Sequence, residues 1–382
     1  MRSLIWERGV GKTKWGGCRY IGMNRLLMLA VPALIGLAFI SPQASAWDVN
    51  QKYTGPKTPT SDTSWHPDIL EGYEARYVDQ GNAFDGPCRS TIIRKRAAAQ
   101  SRKGYLYIHG FNDYFFQAEM GQRLVDSGYH FYAVDLRRYG RSRQPWQYPF
   151  NIRDYHRYYD DIDSAVAQMR RDGIADITLS GHSTGGLIVT AYAIDKSDSA
   201  DIERVVTDSP FYGWNFNATY RNFIIPAVRN ISALFKNIKI PQGDCDGYAY
   251  SLLKQFDGEW TYDTDWKMIY SPPVTSSWVG QIQSAHNNVK KHGDRLRVPL
   301  LVMHSSRKVD GCNYTPEFRY GDAVLDPEHI VAVATKLKDK SPRPVEICTI
   351  DSGLHDLILS LRPHRDAAYD SIFSFMRRYA SR

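Results

Sequence analysis

The chain has 382 residues, 43% hydrophobic and 23% charged, with a formal net charge of +7 at pH 7. That length holds one large α/β domain with an insertion, or two smaller domains, and no collagen-like, coiled-coil or other internal repeat is present. Arg2, Arg8, Lys12, Lys14, Arg19 and Arg25 against Glu7 put five of the seven net positive charges ahead of residue 47, leaving +2 for the rest; the basic balance therefore gives no support for a nucleic-acid partner.

Leu26 to Ile40 is an uncharged apolar run preceded by Arg25 and followed by Ala44-Ser45-Ala46. A run this short with a small-residue cleavage site predicts a secretory signal peptide over residues 1–46, with Met23 an alternative start. The expected mature chain begins at Trp47 and is periplasmic or secreted. A single-span anchor is the competing reading.

Residues 47–68 are rich in Thr, Pro, Ser and Lys and read as an irregular arm. Tyr73–Val78 and Ser90–Arg96 are predicted strands. Tyr105–Ile108 is a short buried strand ending at His109-Gly110, and Phe115–Ser127 is helical, stopping at Gly128. His130–Asp135 is a strand, Tyr155–Arg171 a helix, and Ile177–Leu179 a strand. Leu187–Ile194 is helical and Ile202–Thr207 a strand. From Phe211 to Pro273 the rhythm breaks into a long aromatic stretch, with Trp214, Phe216, Tyr220, Phe223, Phe256, Trp260, Tyr262 and Trp266. Its aromatic content argues against disorder, so residues 211–273 read as a lid inserted into a core of residues 69–210 and 274–382. Val274–Lys291, Pro327–Leu337 and Arg365–Tyr379 are predicted helices, Pro299–His304 and Val345–Ile350 strands. The alternation implies an α/β fold, a parallel sheet with helices on both faces and its active site at the carboxyl ends of the strands.

Gly181-His182-Ser183-Thr184-Gly185 lies at a strand-to-helix joint. A G-x-S-x-G there is a sharp turn that lifts a serine oxygen above the sheet, with small neighbours required by the tight chain path. Ser183 is the predicted nucleophile. A serine hydroxyl needs a base, and the base an orienting carboxylate, in the chain order serine, acid, histidine. The acid belongs just past a strand that follows the lid. Asp310, in the loop after Leu300–His304, is the predicted acid; Asp322 and Asp326 compete but lie further from the strand end. His355, after the last strand and before the closing helix, is the predicted base. The oxyanion hole is assigned to the backbone N–H groups of Thr184, at the elbow, and Phe111, after His109-Gly110.

With these pieces in order, the chain resembles the α/β-hydrolase superfamily and, within it, the monoacylglycerol lipase/lysophospholipase-like serine hydrolases. The matching residues are His109-Gly110-Phe111, Asp135 to Ser142, Gly181 to Gly186, Asp310 and Gly353-Leu354-His355. The resemblance covers most of residues 70–380 and implies a mostly parallel eight-stranded sheet with an inserted lid. It implies a serine ester hydrolase working through an acyl-enzyme, without cofactor or metal. The aromatic lid favours a hydrophobic acyl ester or lipid, with transient contact at a membrane surface. A peptidase of the same superfamily is one alternative, though Gly110-Phe111-Asn112-Asp113 stands where proline iminopeptidases carry Gly-Gly-Pro-Gly. A non-catalytic binding module on the same fold is the other.

Cys88, Cys245, Cys312 and Cys348 follow the signal, with no metal-binding spacing. Cys245 in the lid and Cys312 beside Asp310 belong on one face of the sheet, so a bond between them is expected to tie lid to acid loop. Cys312–Cys348 is the runner-up, on neighbouring strands. In this superfamily the strands of Cys88 and Cys348 lie far apart.

Overall fold

The computed structural model describes residues 54–98, 100–217 and 219–380. The predicted signal peptide and the first residues of the arm lie outside the described residues.

A hairpin opens the core. β2 (Glu74–Ala83) and β3 (Gly86–Lys95) pair antiparallel, with a bulge between Asp79 and Asn82. The arm ends in a two-residue strand, β1 (His66–Pro67), on the outer edge of β2. Next come β4 (Lys103–Ile108), α1 (Ala118–Asp126), β5 (His130–Asp135), α2 (Arg157–Arg171), β6 (Asp176–His182), α3 (Thr184–Lys196) and β7 (Arg204–Asp208). α1 starts three residues later than the spacing predicts. The N–H groups of Phe115 and Phe116 are held by side-chain oxygens of Asp135 and Gln117, so that stretch is loop.

Between β7 and residue 274 runs the aromatic stretch. It holds a π-helical turn (Tyr220–Ile224) leading into α4 (Ile225–Ser232), then β8 (Lys239–Ile240) and α5 (Gly247–Leu252). β8 pairs antiparallel with β9 (Val274–Thr275). Thr275 caps α6 (Ser276–Lys291) by accepting from Trp278 N–H. β10 (Leu300–Ser305), α7 (Pro327–Lys340), β11 (Val345–Ile350) and α8 (Arg362–Arg378) complete the chain.

The sheet order is β1-β2-β3-β5-β4-β6-β7-β10-β11. From β5 to β11 all pairings are parallel; β1, β2 and β3 join antiparallel. The sheet therefore has nine strands where eight were expected, because the arm's last residues pair at the edge, where Pro67 forfeits nothing. Buried on both faces, the central strands carry no alternation: all seven residues of β6 are buried. α3 is buried at every position from Thr184 to Ile194, as a helix without a polar face must be. One end of this sheet–helix sandwich carries the elbow.

Candidate active site

Ser183 joins β6 to α3 with φ 52° and ψ −116°. A non-glycine residue in this region carries a strain of about 1–3 kcal/mol and persists only where the surroundings enforce it. Here they do. A Cβ on Gly181 would meet Gly185 backbone at 2.5 Å, and one on Gly185 would meet the Ile108 and His109 carbonyls at 2.4 Å. Ser183 N–H donates to Asp208 O at 2.9 Å, and Phe211 N–H to Ser183 O at 2.9 Å. These close approaches and hydrogen bonds hold the turn in place.

The hydroxyl meets a histidine. Ser183 Oγ lies 2.9 Å from His355 Nε2, and His355 Nδ1 lies 2.9 Å from Asp322 Oδ2. A carboxylate can only accept, so Nδ1 carries the proton and Nε2 is left free to take the serine's. All three are buried, Asp322 completely.

The carboxylate that meets His355 is thus Asp322 and not the expected Asp310, which corrects that placement. The loop after β10 does not stop at its first carboxylate. It runs outward past Asp310, whose side chain is 81% exposed and paired with Lys308. It then doubles back, so that Asp322 bridges to Lys308 and donates and accepts backbone bonds with Arg307 and Val309. Asp322 Oδ1 accepts from Val324 and Leu325 N–H at 2.8 and 2.7 Å, leaving Oδ2 for His355. Two sequence signals pointed this way. Asp310-Gly311 is a turn pair, and Asp326-Pro327 is a helix start, where Asp326 caps α7 by accepting from Glu328 N–H. With both so occupied, Asp322 remained.

Both residues named for the oxyanion hole flank the nucleophile: Thr184 follows it at the first turn of α3, and Phe111 follows Gly110, where a Cβ would lie 3.1 Å from Ser183 Cβ. His109 fixes that second strand end. Leu136 N–H donates to His109 Nε2 at 3.0 Å, so His109 Nδ1 carries the proton and donates to Gly110 O at 2.8 Å. In a trans peptide the N–H points opposite the carbonyl, so the Phe111 N–H faces away from the His109 ring.

Behind His355 lies a cluster of ionisable side chains that sequence reading missed. His182 packs its ring 4.8 Å from that of His355 and stands 3.8 Å from Asp208. Asp208 accepts from Leu357 N–H, and Asp356 from Gln117. Burial, outweighing the nearby donors and cations, pushes both carboxyls up to about 7. Asp113 moves the other way: burial raises it, but Lys267, His109 and His182 together outweigh that. Asp113, His182 and Asp356 bring one ligand atom each within 4.8 Å of one another, a spacing a metal ion could bridge. The Lys267 ammonium, 2.9 Å from Asp113, already supplies a cation there. The run Asp135 to Ser142 is held by ion pairs: Arg141 bridges Asp135 and Asp68, Arg138 holds Asp85, and Arg137 holds Asp161.

The aromatic stretch contributes to the site directly. Tyr248 packs edge-on to His355 with ring centres 5.7 Å apart. Cys245 and Cys312 form a disulfide, reinforced by a Gly247 N–H to Cys312 O bond of 3.0 Å, so this stretch is tied to the acid loop. Cys348, the runner-up partner, sits on β11 against Ser371, and Cys88 is a buried free thiol.

Solved structures share this architecture. A soluble variant of monoglyceride lipase from Saccharomyces cerevisiae aligns over 86% of this chain and 99% of its own, with TM-score 0.59 and 16% identity. A monoacylglycerol lipase of Paleococcus ferrophilus aligns over 75% and 98%, with TM-score 0.54 and 15% identity. A carboxyl esterase of Bacillus coagulans covers 80% and 98%, with TM-score 0.54 and 13% identity. In sequence, the AB hydrolase superfamily protein YisY of Bacillus subtilis (strain 168) is 29% identical over 103 residues, which is 26% of this chain and 35% of that relative. Residues 99–309, over half of the chain, match the family model described as Serine aminopeptidase, S33, and the protein belongs to that family of α/β hydrolases.

Proposed function

We propose that the protein is an exported serine hydrolase that cleaves carboxylic esters of hydrophobic acyl chains through Ser183, His355 and Asp322. The observation that carries this is the continuous pair of 2.9 Å hydrogen bonds from Ser183 Oγ through His355 to Asp322. His355 Nε2 takes the hydroxyl proton as Oγ attacks the acyl carbon, and the N–H groups of Phe111 and Thr184 receive the developing negative charge. Collapse expels the alcohol, which leaves with the proton held on His355. Water, deprotonated by the same nitrogen, then releases the acid and restores the serine.

The aromatic walls support an apolar acyl group. Phe111 packs on Phe150 and Trp278, and Tyr248 roofs His355. Exposed Phe223, Leu234, Phe235 and Ile238, interspersed with Arg221, Arg229 and Lys236 and no acidic residue, support transient contact of the lid with an anionic lipid surface. Export is supported by the signal-like N-terminus and by a disulfide, which persists in oxidising compartments. N-terminal sequencing of exported protein tests that part: a chain retaining residues 26–40 in a membrane fraction refutes it.

The activity test is a fluorophosphonate label followed by matched esters and aminoacyl amides. Labelling at Ser183 with ester turnover rising from acetyl to longer chains is the expected result. The family model's name favours a second reading, an aminopeptidase, which preferred cleavage of the amides would establish. No labelling and no turnover would leave a binding module.

A further inference from the structure

The segment at the far end of the aromatic stretch holds the strand end that carries Phe111. Asn112 sits at φ 49°, where asparagine is tolerated better than most residues. Its side-chain amide pairs with both backbone groups of Met268: Nδ2 donates to Met268 O at 2.7 Å, and Oδ1 accepts from Met268 N–H at 2.9 Å. Nδ2 also donates to Ser271 Oγ at 2.9 Å. One residue on, Asp113 receives Lys267 Nζ at 2.9 Å, with both side chains buried, and its other oxygen accepts from Gly110 N–H at 3.4 Å. The contact continues outward through Tyr114 OH, which accepts from Asp263 N–H, and through the ring pairs Tyr114–Trp266 and Phe116–Tyr262.

A buried lysine–carboxylate pair gains little stability, since desolvating both charges offsets their attraction. What it does supply is a fixed position. Asp113 is bound at once to the Gly110 N–H and to Lys267, and Asn112 to Met268 and Ser271, so the residues on either side of Phe111 are braced, directly or through Asp113, against residues 267–271.

We propose that Asn112 and Lys267 are positioning residues that clamp the Phe111 N–H in its oxyanion-binding place, making residues 267–271 part of the catalytic scaffold as well as of the lid. This rests on the ester-hydrolase reading above and deepens it. The clamp acts on the tetrahedral state, where the N–H is needed, and not on ground-state binding.

The experiment compares Asn112→Gly and Lys267→Met with the parent and with Ser183→Ala. Glycine tolerates the positive φ of residue 112 and removes the side-chain clamp. If Lys267→Met fails to fold, the double variant Lys267→Met/Asp113→Asn removes the pair without leaving a bare buried charge. On a short-chain nitrophenyl ester, kcat should fall by about 10² with KM within about twofold, the cost of misplacing a reacting group by roughly an ångström. Affinity for a trifluoromethyl ketone, which forms a tetrahedral adduct on Ser183, should fall in parallel. Binding of a non-hydrolysable ether analogue should hold. Folded variants with kcat and ketone affinity unchanged would overturn the clamp, leaving the packing of the Phe111 ring to hold the loop alone. Because Ser183→Ala is run beside them, retention of activity in that variant would instead sink the hydrolase reading itself.

Discussion

Among single residues, Asp322 separates what the sequence displays from what the fold decides. Ser183 and His355 were legible because each has a local address: a glycine-framed elbow and a loop between the last strand and closing helix. Asp322 has none, since it reaches His355 only after its loop has turned back on itself. Asp322→Asn should lower kcat by about 10⁴, because it stabilises the wrong histidine tautomer. Asp310→Asn, at an exposed ion pair, should change it less than twofold. Ester kinetics of the two variants decide; the reverse ranking would restore Asp310. The buried pair Asp208 and Asp356 gives a second expectation. Each keeps its proton up to about pH 7 in the folded chain, against an ordinary 3.8. The native state therefore binds more protons than the unfolded one between these values, and stability falls as pH rises through that window, then levels. Asp356→Asn removes part of this loss while keeping the Gln117 bond within reach. Its melting temperature relative to the parent should climb from pH 4 to pH 8; a gap that stays flat would show that the pair does not titrate there.

Among the elements, strands and helices with a buried face were placed closely: β11 matches its predicted span, and α2 and α7 differ by a few residues at one end. The misplaced start of α1 has a physical cause, since side-chain oxygens satisfy the backbone there and compete with the helix. The aromatic stretch was legible as a break in the strand–helix rhythm, but its layout was not. Its order comes from long-range pins such as Trp260 Nε1 donating to Leu359 O and the Cys245–Cys312 bond, which no local pattern announces. That bond closes a loop with a sequence separation of 67 and stabilises by about 4 kcal/mol in the chain-entropy model. Cys245→Ser/Cys312→Ser should thus melt several degrees lower, as scanning calorimetry would record. An unchanged transition, with the parent's bond verified by mass spectrometry of non-reduced peptides, would show that the unfolded chain is already compact there.

At the scale of the whole molecule, the alternation of strand and helix disclosed the doubly covered parallel sheet, because strands buried on both faces read as continuous apolar runs. The antiparallel edge was less visible: β1 is two residues long and owes its pairing to neighbours. The cluster of ionisable side chains behind His355 was invisible for a related reason, since Asp113, His182, Asp208, Lys267 and Asp356 come from five separate stretches of chain. The doubling-back of the acid loop carries a consequence for kinship. Its outward leg, from Asp310 to Glu317, is largely exposed, while the return crossing at Lys308 and Asp322 is pinned. Away from Cys312 and Tyr314, which are tied to the aromatic stretch, residues can be gained or lost along that leg while the carboxylate stays where it is. The count from strand to acid is then free to drift between lineages, and a ruler laid along the sequence will misname the acid in a relative whose chemistry has not changed.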